Sequence, residues 1–469
     1  MANSQIYRAD KSRLDWVSMA LYISLLVIGW LMVYASTYKE DASFSILSLQ
    51  GGMGMQTLWV GIAVIVFLAA YIIDWKFWQT FAFPIFIFCM LLLLLVLLFG
   101  TEIKGARSWF VFGNASFQPA ELAKFGTCLA VSSYISYYKT DLKIRKNQII
   151  AIGIFLLPML LILLQPDAGS AIVFTAFFLV LYREGLSGLY FIIALVLFLL
   201  FVCSLVFKTQ AVLAILFLIP SVFLLFTLKK KDVYFLLGMS VFVGLNAVAI
   251  FLSFEKWLIY FNGFVLLIMT TIKMRQKKFR LIALVWPATV FCIIVSLFSR
   301  YAFEEFLEPH QQDRINVWLK PSECNEQGSL YNLLQSKMAI GSGGFQGKGF
   351  LEGTMTKLDY VPEQSTDFIF STIGEEQGFI GSFAIIAIFV MFILRIIKLG
   401  ERNKNNFVRH YAYGLAGLLF IHFFINIGMT MGLVPIVGIP LPFISKGGSA
   451  LLSFTIMFAV LMRMDSSRY

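Results

Sequence analysis

The chain has 469 residues, of which 59% are hydrophobic and only 13% charged, with a net charge of +11 and a mean hydropathy of +0.83. Soluble globular domains are nearer half apolar and a quarter charged, so a soluble enzyme is excluded. The runs are long and continuous rather than short and alternating, which argues against a membrane β-barrel, and the basic residues sit in short loops between them, a topological signal rather than a nucleic-acid footprint. What remains is an all-α, polytopic integral membrane protein.

The apolar runs predict about 14 membrane-spanning helices, each near the length a bilayer requires. They lie near residues 15–36, 54–73, 76–99, 118–138, 148–165, 168–183, 189–207, 211–228, 233–253, 256–273, 281–299, 368–395, 408–430 and 437–463. The run from Trp16 to Ala35 follows a polar, basic start and is too long for a signal-peptide core, so it reads as a retained first helix. Basic gaps recur at KTDLKIRKN after the fourth span, at Lys229–Lys231, at KMRQKKFR (273–280) and at RIIKLGERNKNNFVR (395–409), alternating with less basic ones. The positive-inside rule then puts both termini in the cytoplasm and residues 301–367 outside. The same basic rim suits anionic membrane lipids. The organisation reads as N-terminal core helices (1–188), Leu-, Phe- and Ile-rich scaffold helices (189–300), a large extracytoplasmic loop (301–367) and C-terminal core helices (368–469).

Of the five cysteines only Cys324 lies in the long loop, and the three histidines, His310, His410 and His422, are scattered. No Cys/His ligand spacing is present, so no zinc site is expected.

Four segments carry chemistry. In WFVFGNASFQPAELAKF (109–125), Pro119 suits a first helical turn, and Glu121 and Lys124, three apart, share a helix face. They form either a helix-end salt bridge or a cavity wall whose lysine meets an anion. In LLQPDAGSA (163–171), Asp167 either caps the next helix or sits at a cavity mouth. The long loop holds glycines 341, 343, 344, 347 and 349 around Lys348, a pattern that serves a flexible turn or brings backbone amides to a phosphate. It runs into YVPEQSTDFIFSTIGEEQGFIG (360–381), where Thr366 or Asp367 is placed to cap a helix. In GLVPIVGIPLPFISKGGSALLS (432–453), three prolines should interrupt the helix beside Lys446. Irregular backbone at membrane depth belongs where protein or a watery cavity satisfies it.

Together these segments resemble the SEDS family (shape, elongation, division and sporulation), and within it the rod-shape-determining branch. The text that carries the likeness is FQPAELAK, QPDAGSA, QSKMAIGSGGFQGKGFLEGTMTKLDYVPEQSTDFIFSTIGEEQGFIG and GMTMGLVPIVGIPLPFISKGGSALL, in family order. The resemblance implies a peptidoglycan glycosyltransferase that polymerises lipid II, the undecaprenyl-pyrophosphate-linked disaccharide peptide, at the outer face of the bacterial cytoplasmic membrane during elongation. It implies a class B penicillin-binding protein as partner and a divalent cation, Mg²⁺ or Mn²⁺, as cofactor. A lipid-linked-precursor flippase and a non-catalytic scaffold for the penicillin-binding partner are the rival readings. Substrate-binding residues carried over or chosen by position are Arg107, Trp109, Gln118, Glu121, Lys124, Asp167, Lys348, Glu363, Asp367, Lys446 and Ser449.

The sequence departs from the family in three places. The family's loop aspartate is replaced by Asn325 in SECNEQGSLYNLLQS, and an asparagine is no general base, so Glu323 or Glu326 is expected to take that role. Lys446 stands where an aromatic residue usually precedes GGS. About four spans between Leu189 and Arg300 exceed a family core of about ten.

Overall fold

The computed structural model describes residues 14–38, 52–103, 105–113, 115–137, 139–227, 233–325 and 328–467. Two compact units emerge, Met1–Leu186 with Asn325–Tyr469, and Ser187–Cys324. Hydropathy draws the corresponding limits at 189 and 300; the second lies farther along here because the loop helix that follows packs on the inserted helices.

The first unit begins with α1 (Trp16–Thr37), α2 (Gly52–Ile72), α3 (Trp75–Thr80) and α4 (Ala82–Phe99). Three short strands follow, β1 (Thr101–Ile103), β2 (Ala106–Phe112) and β3 (Ala115–Phe117), in one antiparallel sheet of order β1-β2-β3. This hairpin pair is an addition to the helical fold that the sequence analysis does not contain. Its register pairs Glu102 with Arg107 and Phe110 with Phe117. Gly105 and Gly113 take positive φ in its turns, as tight hairpins need. Then come α5 (Pro119–Ser136), α6 (Arg145–Leu163), α7 (Ala168–Ile172) and α8 (Ala176–Arg183).

The second unit contains α9 (Leu189–Val206), α10 (Thr209–Phe226), α11 (Val233–Phe251), α12 (Glu255–Arg275), α13 (Phe279–Glu305) and α14 (Pro309–Leu319). Its interior is joined by amides: Asn262 Nδ2 donates to Asn246 Oδ1 at 2.7 Å and to the Ala214 carbonyl at 3.1 Å. Arg300 closes the end of α9 through the carbonyls of Ser204 and Phe207. Such polar contacts join helices where lipid supplies no hydrophobic drive.

The chain returns to the first unit as α15 (Ser329–Ser342), α16 (Thr354–Lys357), α17 (Ile369–Glu401), α18 (Asn406–Met431) and α19 (Gly448–Ser466). The long polar stretch is therefore built, not open: α15 packs on α17 and α18, and Ser336 Oγ donates to the Thr430 carbonyl at 3.0 Å. Every predicted span contains helix. Among the described residues, 11 helices are long and apolar enough to cross a membrane, and Ala168–Arg183 and Leu236–Phe251 are shorter apolar helices. The last predicted span starts later than expected, at Gly448, because the prolines keep 434–445 out of helix. Neither Thr366 nor Asp367 caps α17; its N-cap is Phe368, after turns in which the amides of Thr366 and Phe368 donate to the Glu363 carbonyl.

One end of the first unit is closed by ions. Asp15 caps α1 and accepts from Arg395 Nε at 3.0 Å and from Arg402 Nη1 at 3.2 Å. Arg402 also pairs with the buried Asp465 at the end of α19. Burial opposes the Asp15 charge, but hydrogen bonds from Arg395 and Ser18 outweigh it and hold the carboxyl well below the usual 3.8. A depressed carboxyl stabilises the fold above its unfolded pKa and loses that contribution as pH falls. Asp15→Asn should therefore lower stability in detergent by about 2–4 kcal/mol at pH 7. The deficit relative to wild type should shrink as pH falls below about 4. Thermal melts across that range check both points; a deficit that stays constant with pH would contradict the ionic account.

Candidate functional site

The prolines and glycines of 432–447 decide where the site lies. Gly432, at φ 75°, ends α18 in the left-handed conformation that glycine adopts freely. The chain then runs out of helix except for one turn, in which the Ile444 and Ser445 amides donate to the Leu441 carbonyl, and neighbouring side chains supply further bonds. Asn426 Nδ2 donates to the Ile439 carbonyl at 2.7 Å, and His422 Nδ1 lies 3.0 Å from the Pro440 carbonyl. Ser445 Oγ accepts from the Leu441 amide and donates to the Thr366 carbonyl, while the Lys446 amide donates to the Ser365 carbonyl. Two glycines leave room for this backbone: a Cβ on Gly29 would sit 2.2 Å from the Phe443 carbonyl oxygen, and one on Gly169 2.2 Å from that of Val437.

Against this segment the start of α5 builds two polar layers. In the half-buried layer, Gln118 Nε2 donates to Asp167 Oδ2 at 2.8 Å and lies 3.2 Å from Ser170 Oγ. Asp167 also caps α7 through the Ser170 amide at 3.0 Å. Ser449, at the start of α19, accepts from the Gln118 amide at 3.2 Å. In the buried layer, Lys124 Nζ lies 2.7 Å from Glu121 Oε1 and 2.8 Å from His422 Nε2, with the Phe454 ring centroid at 5.4 Å. Lys124 is 1% exposed, so in this conformation it forms the buried salt bridge and meets no outside anion. The second carboxylate oxygen of Glu121 has no hydrogen-bond partner among the described residues.

The glycine cluster resolves as a packing device. Gly343 and Gly347 admit the backbone of α17 so closely that a Cβ would lie about 2 Å from the carbonyls of Gly374 and Glu376. The amides of Lys348 and Gly349 donate to Glu375 and Glu376, and those of Phe379 and Ile380 donate to Gly344 and Phe345. Gly378, at φ 60°, kinks α17 at this contact. The amides of Lys348 and Gly349 are thereby spent on protein carbonyls rather than on a phosphate. Buried Glu375 accepts from Lys348 Nζ at 2.7 Å, from the Met355 and Thr356 amides at 2.9 Å, and from Thr356 Oγ1 at 2.7 Å. Lys348 is thus held by a carboxylate.

The remaining predicted residues divide by position. Glu363 is exposed, accepts from Thr366 Oγ1, and lines an open recess of about 370 Å³ with Ser36, Thr37 and Asp359. Asp367 is held at its carbonyl by Asn426 Nδ2 at 2.9 Å. Arg107 and Trp109 share one face of β2, with Arg107 exposed. Lys446 is half-buried, and neither its ammonium nor the Arg107 guanidinium has an ion pair among the described residues. Asn325 is exposed. Glu323 is exposed in the second unit and lies 3.6 Å from Lys320. Glu326 lies outside the described residues. The structure thus joins Gln118, Glu121, Lys124, Asp167 and Ser449.

Sequence reasoning missed His422, Asn426, Ser170 and Gln364. Gln364 Nε2 ties the Ser36 and Thr356 carbonyls to Asp359. His422 and Asn426 are one turn apart on an apolar helix, a signal that was there to be read. Among the described residues no three His, Cys, Asp or Glu side chains are grouped to hold a metal ion.

The family described as "Cell cycle protein" (FtsW/RodA/SpoVE) matches residues 15–221 and 255–469. Similar proteins include the peptidoglycan glycosyltransferase MrdB of Escherichia coli K12, 28% identical over 459 residues covering 98% of this chain and 95% of that one. The peptidoglycan glycosyltransferase RodA of Treponema pallidum is 29% identical over 467 residues, covering 97% and 98%. Among solved structures, a chain of a peptidoglycan synthase complex aligns with TM-score 0.61 at 21% identity, covering 97% of this chain and 98% of that chain. The Thermus thermophilus rod shape determining protein RodA aligns with TM-score 0.54 at 20% identity over the same shares.

The Glu375 geometry makes a specific demand. Glu375→Gln replaces one acceptor oxygen by a donor facing amides that already donate, so residues 348–358 should loosen. Hydrogen exchange at Met355 and Thr356 should accelerate at least about tenfold, with α5 unchanged. Unaltered exchange there would contradict the assignment.

Proposed function

Because the chain belongs to the FtsW/RodA/SpoVE family, we propose that it is a peptidoglycan glycosyltransferase that polymerises lipid II at the outer face of the bacterial cytoplasmic membrane. The observation that carries the reading is the cluster of half-buried Gln118 and Asp167 with buried Ser449 beside the proline-broken segment, inside a multi-pass helical bundle. Uncommitted cations, Lys446 and Arg107, belong to the same unit.

The reaction forms a bond from an acceptor sugar hydroxyl to the anomeric carbon of a lipid-linked sugar and breaks the bond to the lipid pyrophosphate, with inversion. The departing pyrophosphate gains charge, and Lys446 and Arg107 are the groups suited to stabilise it. Gln118, Asp167 and Ser449 present amide, carboxylate and hydroxyl groups to the sugars. The hydroxyl proton needs a carboxylate base, for which Glu323 and Glu326 are the candidates, since Asn325 cannot accept it. A divalent cation would accompany the substrate's pyrophosphate and neutralise part of its charge. A class B penicillin-binding protein is the proposed partner, and both termini face the cytoplasm. Asn325 favours a second reading, a non-catalytic scaffold for that partner.

The test is glycan polymerisation by the purified chain, alone and with its partner, from lipid II with Mg²⁺ or Mn²⁺. Strands should form, and Lys446→Ala should lower kcat at least about tenfold, as expected of a group that stabilises charge gained by the leaving group. No polymer from the folded, partner-bound wild type, with polymer gained on Asn325→Asp, would establish the scaffold reading instead.

A further inference from the structure

We infer that His422 is a positioning residue: a neutral imidazole, protonated on Nδ1, that joins the buried Lys124 ammonium to the proline-broken segment and so fixes the two walls of the site against each other. The inference rests on the glycosyltransferase reading for its effect on turnover, but its geometry stands apart from it.

The hydrogen bonds assign the ring. The Pro440 oxygen, 3.0 Å from Nδ1, is only an acceptor, so Nδ1 carries the proton. Lys124 Nζ, 2.8 Å from Nε2, pairs with the Glu121 carboxylate at 2.7 Å and is an ammonium, only a donor, so Nε2 is bare. The Phe454 ring stands edge-on to the imidazole at 5.0 Å and lies 5.4 Å from Lys124, closing the third side. Ser453 Oγ donates to the Glu121 carbonyl at 2.6 Å, tying α19 to the same turn of α5.

The consequence reaches the half-buried layer. Gln118, which holds Asp167 and Ser449, sits on the turn of α5 that carries Glu121. Pro440 lies six residues before Lys446 on the opposite wall. A single imidazole therefore connects the element that carries Gln118 to the element that carries Lys446. Without it, the Pro440 carbonyl and one ammonium proton are both left unpaired in a buried place, which is costly. Exposed substrate does not reach His422, which is 1% exposed, so its effect is on alignment rather than on contact.

Two unionisable variants separate this role from simple packing. In His422→Gln the carboxamide oxygen reaches the place of Nε2 and keeps the Lys124 bond; in His422→Asn the amide reaches only the place of Nδ1 and keeps the Pro440 bond. Each variant cuts one arm of the bridge, so with equal thermal midpoints both should lose at least about tenfold in kcat with KM little changed. Turnover within about threefold of wild type in either variant would overturn the proposal. Nitrogen-15 spectra of the three histidines in the full chain in lipid, assigned by the Gln variant, decide independently of activity. A protonated Nδ1 with bare Nε2 is expected, and a protonated Nε2 would overturn the inference. If wild type with its partner makes no polymer, the glycosyltransferase reading fails, and the spectra still decide the tautomer.

Discussion

Backbone that leaves the helix inside a membrane protein must find its hydrogen bonds in its neighbours. Residues 434–445 do so, and much of the first unit is arranged around that need. Three prolines forbid helix, two glycines on facing elements make room, and Asn426, His422 and Ser445 supply donors and acceptors. The side chains that satisfy the segment are the ones that bring it beside Gln118, Asp167 and Ser449. Fold and site therefore share one constraint.

Charge is graded through the unit. Glu121 and Lys124 are fully buried and pair with each other, which such groups must do to remain ionised. Asp167 and Lys446 are half-buried, and Arg107 is exposed. At another place the Asp15, Arg395, Arg402 and Asp465 network clamps the ends of α1, α17 and α19. An interior layer that is neutral as a pair, with uncommitted cations farther out, suits an anionic lipid-linked substrate that arrives from the surface.

The sequence was legible where physics is local. Apolar runs located the helices, Pro119 began α5, Asp167 capped α7, and the prolines of 435–442 broke a span. The Glu121–Lys124 pair followed from their separation of three residues. Strands β1 and β3 were hidden because three-residue runs give too little alternation, although Gly113–Asn114 is a turn dipeptide. The glycine cluster had two readings because spacing does not reveal which backbone approaches; here it is α17. His422 and Gln364 escaped because their partners are distant in sequence, at Lys124 and Ser36. Asn325 is legible as a departure from the family.

The most direct test of the central claim is a structure of the chain bound to lipid II and its partner. The account predicts the pyrophosphate beside Lys446, with sugar hydroxyls within hydrogen-bond distance of Gln118 or Asp167. A pyrophosphate held elsewhere, with the Gln118–Asp167–Ser449 cluster untouched, would contradict it.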